Sequence, residues 1–268
     1  MADISAQAIK ELRDRTGAGI VDCKKALGES QGDLEKAIEY LRRAGLAKAA
    51  KRAGRAAKEG RLACVVQPNA AVFVEMLSET DFVAKNEKFG EYVQGLAKRA
   101  AEFSGNGDIT EAVTAGEKDR MAELANVFGE DLRINRVLRH EISGKLGHYI
   151  HFDGRQGAMV EASGEVDADL LKNLAMHIVL KNPTYLSFDA VPAAVLEKEK
   201  EIASARSDLA GKPAAMVEKI VEGAVRKWSQ DSCLLQQTWW KDEKLTVEKV
   251  LGKAKLTWFV RWQIGEGA

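Results

Sequence analysis

Apolar residues recur at helical spacing through the first 45 positions. Ala8, Ile9 and Leu12 share one face behind Ser5, a residue suited to capping, and the pattern stops at Gly17-Ala18-Gly19. Ile20, Cys23 and Leu27 mark a second helix. Beyond the turn Gln31-Gly32-Asp33, Leu34, Ala37, Ile38 and Leu41 take the i, i+3, i+4 and i+7 positions of a third. A module of about 40 residues encloses little apolar volume, so it is expected to lean on a neighbour or a partner.

From residue 61 the apolar period changes to two. RLACVVQPNAAVFVEM and KLGHYIHFDGRQGAMVEA each read strand, turn, strand, and each precedes a helical stretch, Phe82 to Phe103 and Asp169 to Lys181. This weak internal repeat predicts two related halves, joined by a helix from Glu117 to Phe128 and a strand from Leu132 to Glu141. Val195, Ile202 and Leu209 fall seven apart, and after a GKP break at 211–213 Met216, Val217, Ile220, Val221 and Ala224 share a face. That pattern predicts an antiparallel helical hairpin. The tail LTVEKVLGKAKLTWFVRWQIGEG supplies a short helix and a strand expected to rejoin the second half's sheet. The fold class is α+β: a three-helix module over 1–55 with a basic linker to residue 60, core subdomains at 61–143 and at 144–192 with 229–268, and the hairpin at 193–228.

Where the apolar run AAVFVEML ends, SETDFVAKN places an acid beside a large aromatic. Asp81 reads as a helix cap for the stretch FVAKNEKFGEYV. Phe82 reads either as a core staple at a helix start or as an exposed tool at a strand-to-helix corner, aimed at another molecule.

Composition adds bounds rather than a function. Forty basic and forty acidic residues cancel, so no overall field draws the molecule to nucleic acid or anionic lipid. The local exception is RRAGLAKAAKRAGRAAKEGR, residues 42–61, with eight basic residues and one acid. Lys48, Lys51, Arg52 and Arg55 fall on one helical stripe, which reads as a phosphate contact or as a solvated linker helix. No aromatics interleave to stack bases, which favours the linker. A nucleic-acid-binding protein built on this segment and an adaptor built on the three-helix module are the alternatives this reading keeps.

Three distant cysteines, Cys23, Cys64 and Cys233, fit neither a disulfide framework nor a zinc site and suit a reducing cytosol. The charged start MADISAQAIKELRD is no signal peptide, and no apolar run approaches the roughly 20 residues of a membrane span, so a cytoplasmic location is expected. No phosphate-binding glycine loop is present, and RTGAGIVD reads as one helix ending and the next beginning. His148 and His151 lie three apart on an expected strand, hence on opposite faces, and His177 flanks a helix whose core is Leu170, Leu171, Leu174 and Ile178. No metal site, no cofactor site and no catalytic set is legible, so binding is favoured over catalysis.

RTGAGIVDCKKALGESQGDLEKAIEYLR, LAKAAKRAGRAAKEG and SETDFVAKN closely resemble bacterial elongation factor Ts, and the likeness continues through LGHYIHFDGRQGAMVE, LAMHIVLKNP and FVRWQIGEG over the whole chain. The resemblance implies a ubiquitin-associated-like N-terminal domain, a two-part core with an inserted hairpin, and a guanine-nucleotide exchange factor for the GTPase elongation factor Tu. It implies that the corner Thr80, Asp81, Phe82, Val83 enters the GTPase domain, disturbs its magnesium and phosphate site indirectly, and so releases GDP. It further implies partner contacts at Lys10, Arg13, Ile20, Val21, Cys23 and Lys24, at Phe128 and His151, and at His177 toward the partner's more distant domain. Neither direct nucleic-acid binding nor a membrane is implied. Ile20 and Val21 depart from a more usual methionine-rich pair, and Trp239 and Trp240 stand where a proline-phenylalanine pair is common.

Overall fold

The computed structural model describes residues 4–52, 55–205 and 213–266, without the side chains of 46–52. The chain divides into two compact units: Met1–Glu141 with Phe152–Arg155 and Gln263–Ala268, and Ile142–His151 with Gln156–Trp262.

In the first unit, α1 (Ala6–Thr16) starts where the Ser5 hydroxyl accepts from the Ala8 amide at 3.1 Å and stops at Gly17. It packs with α2 (Ile20–Glu29) and α3 (Leu34–Arg52) around Leu12, Cys23, Ala26, Leu27 and Ala37. Helix α3 is one helix of 19 residues that carries on into the basic segment. Gly45 serves close packing: a Cβ there would lie 1.8 Å from the Asn126 amide nitrogen. Of the basic stripe, the side chains of Lys48, Lys51 and Arg52 lie outside the described residues.

Strands β1 (Glu59–Val66), β2 (Ala70–Ser78), β3 (Gly107–Asp108) and β4 (Arg133–Glu141) form a sheet in the order β1-β2-β4-β3, and each neighbouring pair is antiparallel. All nine residues of β2 are buried, which is why AAVFVEML reads as a continuous apolar run rather than an alternation. Val72, Val74 and Met76 meet Phe89, Val93 and Leu96 from one side. On the other, the fully buried Glu75 carboxylate receives Asn135 at 3.1 Å, the Arg136 guanidinium, and the Gly265 amide at 3.0 Å. A buried carboxylate with three donors avoids the cost of an unpaired charge and fixes the 263–266 segment on the sheet.

The single helix expected over Phe82 to Phe103 is two: α4 (Asp81–Ala84) and α5 (Glu87–Ala100), separated at Lys85 and Asn86. Asn86 begins α5 afresh by accepting from the Lys88 amide at 3.0 Å. Helix α6 (Thr110–Phe128) starts earlier than its apolar periodicity suggested. Its first turn is secured by Asp108, which accepts from the Thr110 amide at 2.8 Å, and Gly116 costs a helix interior only about 1 kcal/mol. Helix α6 is the neighbour on which the three-helix module leans, through packing against α3 and the Arg42–Asp119 ion pair.

In the second unit, β5 (Lys145–Ile150) and β6 (Gln156–Ser163) are antiparallel, and β7 (Lys255–Gln263) lies beside β6. Helix α7 (Ala168–Lys181) covers β5 and β6 through Leu171, Leu174, Ala175 and Ile178, while Leu170 is half-buried. Both sheets thus show a hairpin, a helix, and a later strand added beside the hairpin's second strand. Helices α8 (Ala193–Ser204) and α9 (Ala214–Ser232) pack on each other, followed by α10 (Val247–Leu251). Leu209 and most of the GKP break lie outside the described residues.

Candidate functional site

Strand β2 delivers the chain to a corner two residues beyond its end. Thr80 is extended, at φ −121° and ψ 156°, and its hydroxyl accepts from the Val83 amide at 3.4 Å. The cap of α4 is therefore Thr80, and the expected capping role of Asp81 is corrected: Asp81 is the first helical residue and pairs with Lys85 one turn later at 2.6 Å. The hydrogen bond from Lys85 holds the Asp81 carboxyl below its usual range, so it stays charged.

The one-turn helix splits its side chains by direction. Val83 and Ala84 are buried, and Phe82 is 83% exposed. Of the two readings open in the sequence, the core staple is excluded. A four-residue helix has little stability of its own, so its position must come from outside. The Glu130 carboxylate supplies that support, accepting from the Glu79 amide at 3.1 Å, the Thr80 amide at 3.0 Å and the Thr80 hydroxyl. Glu79 reciprocates by accepting from the Asp131 amide at 2.6 Å, and the Ser78 hydroxyl donates to the Thr80 carbonyl at 3.0 Å. The arrangement presents a rigid aromatic with a charged neighbour on a braced backbone. Glu79 and Glu130 carry no sequence signal, because 51 positions separate them and only the sheet brings them together.

The other expected contact residues divide. Lys10, Arg13, Ile20 and Lys24 are exposed, and Val21 is 81% exposed. Cys23 is not at the surface: it is fully buried in the three-helix core, where burial raises its thiol pKa. Phe128 is half-buried and meets Phe89 edge to face at 6.1 Å. His151 lies just past β5, half-buried, with its Nδ1 2.9 Å from the Tyr149 hydroxyl.

His177 is also corrected, from helix flank and partner contact to core. It is fully buried, stacked on Trp239 at 5.3 Å, with Nε2 2.9 Å from Gln237 Oε1. Gln237 spends its amide hydrogens on the Lys181 and Asp231 carbonyls, so its oxygen is the acceptor and His177 donates from Nε2. The bare Nδ1 has no partner among the described residues. Burial lowers this histidine's pKa to about 4.

Among the described residues no group of three or more His, Cys, Asp or Glu is placed to hold a metal ion, and no helix is long and apolar enough to cross a membrane. The family model described as elongation factor TS matches residues 79–266, a span that opens at the corner itself. Elongation factor Ts of a Nitratiruptor species is 42% identical over 288 aligned positions, which cover 98% of this chain and 94% of that protein.

Proposed function

Because this chain belongs to the elongation factor Ts family, we propose that it is a guanine-nucleotide exchange factor for elongation factor Tu and that the Thr80–Val83 corner performs the exchange step. The observation that carries the assignment is the 83% exposure of Phe82 on a backbone held by Glu130. An aromatic ring kept in water by a braced corner is ready to enter a partner with little further loss of entropy. Entry beside the GTPase's magnesium and phosphate loop displaces the charges that clamp the diphosphate, and GDP leaves. Asp81, held charged by Lys85, adds a polar anchor. No covalent bond is made or broken, so the protein is a catalyst of exchange and not an enzyme in the usual sense.

The exposed face of the three-helix module, which we read as ubiquitin-associated-like, offers Val21, Ile20, Lys10, Arg13 and Lys24 as a second contact. Phe128 and His151 contribute at most their accessible edges. The assignment is tested by the release rate of a fluorescent GDP analogue from elongation factor Tu, with wild-type protein and with Phe82→Ala. Strong acceleration by wild type is expected, with a loss on the order of thirtyfold in the variant, the effect of removing an interface hot spot of about 2 kcal/mol. No acceleration by folded wild-type protein, combined with salt-dependent RNA binding, would replace this assignment with the nucleic-acid reading of the basic segment.

A further inference from the structure

Two phenylalanines among the described residues are exposed beyond four-fifths: Phe82 at 83% and Phe152 at 87%. The second was not among the expected contact residues. Single exposed apolar side chains are common on protein surfaces, so exposure alone says little about Phe152. What distinguishes it is its mounting.

The turn Phe152–Arg155 belongs to the same compact unit as the exchange corner. Its Gly154 carbonyl accepts from the Leu62 amide on β1 at 2.8 Å, and its Arg155 pairs with Glu59 at the start of β1. Within the turn, the Arg155 amide donates to Asp153 at 2.9 Å, and the Arg155 carbonyl accepts from the Ile264 amide at 2.8 Å. Gly154 is buried at φ +74°, and a Cβ there would come within 2.8 Å of the Arg61 side chain, so both the backbone conformation and the close approach need glycine. A turn tied this often to one strand presents its ring in a fixed place.

That place is linked to the corner through β1. Glu59, which holds Arg155, is the register partner of Ser78, and Ser78 holds the carbonyl of Thr80. Helix α4 itself packs on β1. Arg61, the side chain under Gly154, also reaches the position of Gly90 in α5, the helix that follows the corner. The two exposed rings are therefore both tied to β1 within one compact unit, one by way of α4 and the other by way of the turn.

We infer that Phe152 is a second aromatic anchor for the same GTPase, contributing affinity where Phe82 contributes displacement of the nucleotide. This rests on the exchange assignment above. A ring that binds the GTPase equally with and without GDP lowers the concentration of factor needed without changing the maximal rate, which separates its role from that of Phe82.

The test titrates Phe152→Ala and Phe152→Trp against GDP-analogue release and, separately, measures their binding to nucleotide-free GTPase by calorimetry, with thermal unfolding as the check on folding. The expected result for Phe152→Ala is a half-saturating concentration raised about tenfold with the maximal release rate within about twofold of wild type, and recovery in Phe152→Trp. Wild-type values in Phe152→Ala for both measurements would overturn the inference. So would a variant whose only change, by sedimentation, is weaker self-association, since the ring would then serve a second copy of this chain. If wild-type protein binds the GTPase but fails to release GDP, the exchange assignment falls and calorimetry still decides Phe152: weaker binding by Phe152→Ala supports the anchor, and equal binding removes it.

Discussion

At the corner, neighbouring residues have opposite fates. Val83 goes to the core, Thr80 and Asp81 saturate the backbone and Lys85, and Phe82 is left in water. His177 shows the reverse, a polar ring drawn wholly inside against Trp239. Its burial has a pH consequence whose sign follows from proton linkage. The folded pKa of about 4 lies below the ordinary 6.5, so the unfolded chain binds the extra proton first. Stability from the neutral ring is present above pH 6.5 and is lost as pH falls toward 4, by a total on the order of 3 kcal/mol. All five tryptophans lie in the second unit, so urea unfolding followed by tryptophan fluorescence at pH 7 and pH 5 reports on it. The midpoint is expected to drop at pH 5 in wild type and by less in His177→Phe. Equal drops would show that other groups carry the acid sensitivity. Seven-residue and four-residue spacings placed His177 on a helix, but its flank position gave no sign that Trp239 and Gln237, some 60 residues on, would close over it.

Among elements, α4 depends on its cap and on Glu130. Thr80→Val removes the hydroxyl that serves both, which is expected to cost about 1 kcal/mol and to slow GDP release even though Phe82 is intact. Unchanged release would mean that the ring works without a fixed base. Helix α6 depends on Glu117, whose carboxylate receives Arg99 at 2.6 and 2.8 Å, Arg120 at 3.0 Å and the Tyr92 hydroxyl at 2.8 Å. Burial pushes its pKa up, and the Arg99 and Tyr92 hydrogen bonds outweigh this to hold it below the ordinary value. This stability is present above the ordinary glutamate pKa and is lost as pH falls through the depressed one. Glu117→Gln is expected to lower the urea midpoint at pH 7 by an amount corresponding to about 1–3 kcal/mol, and to remove that acid dependence. Strand and helix identities were readable because period two and period 3.6 are local properties. The division of one expected helix into α4 and α5 was not, because it turns on Thr80 and Asn86 each finding an amide to cap.

On the scale of the whole molecule, coupling between factor and nucleotide is reciprocal: whatever factor by which this protein weakens GDP binding, GDP must weaken this protein's binding equally. Calorimetric titration of nucleotide-free and GDP-bound elongation factor Tu is expected to give affinities whose ratio equals the ratio of GDP affinities without and with this protein. Equal affinities for the two forms would show that this protein does not weaken GDP binding. The zero formal net charge leaves no overall field to steer association, so any charge-driven approach must come from a local patch.

The amino-acid sequence alone determined the class of the fold and the identity of most elements, because hydrophobic periodicity and capping residues act within a few positions of one another. It also determined the family likeness, since whole motifs stand in the family's order along the chain. Tertiary structure alone decided which side chains face solvent and which are consumed by the core. Phe82 and Phe152 stay out because bonds from Glu130 and from β1 fix their backbones. Cys23 and His177 go in because residues distant in the chain close over them, and burial depends on those long-range neighbours rather than on local pattern.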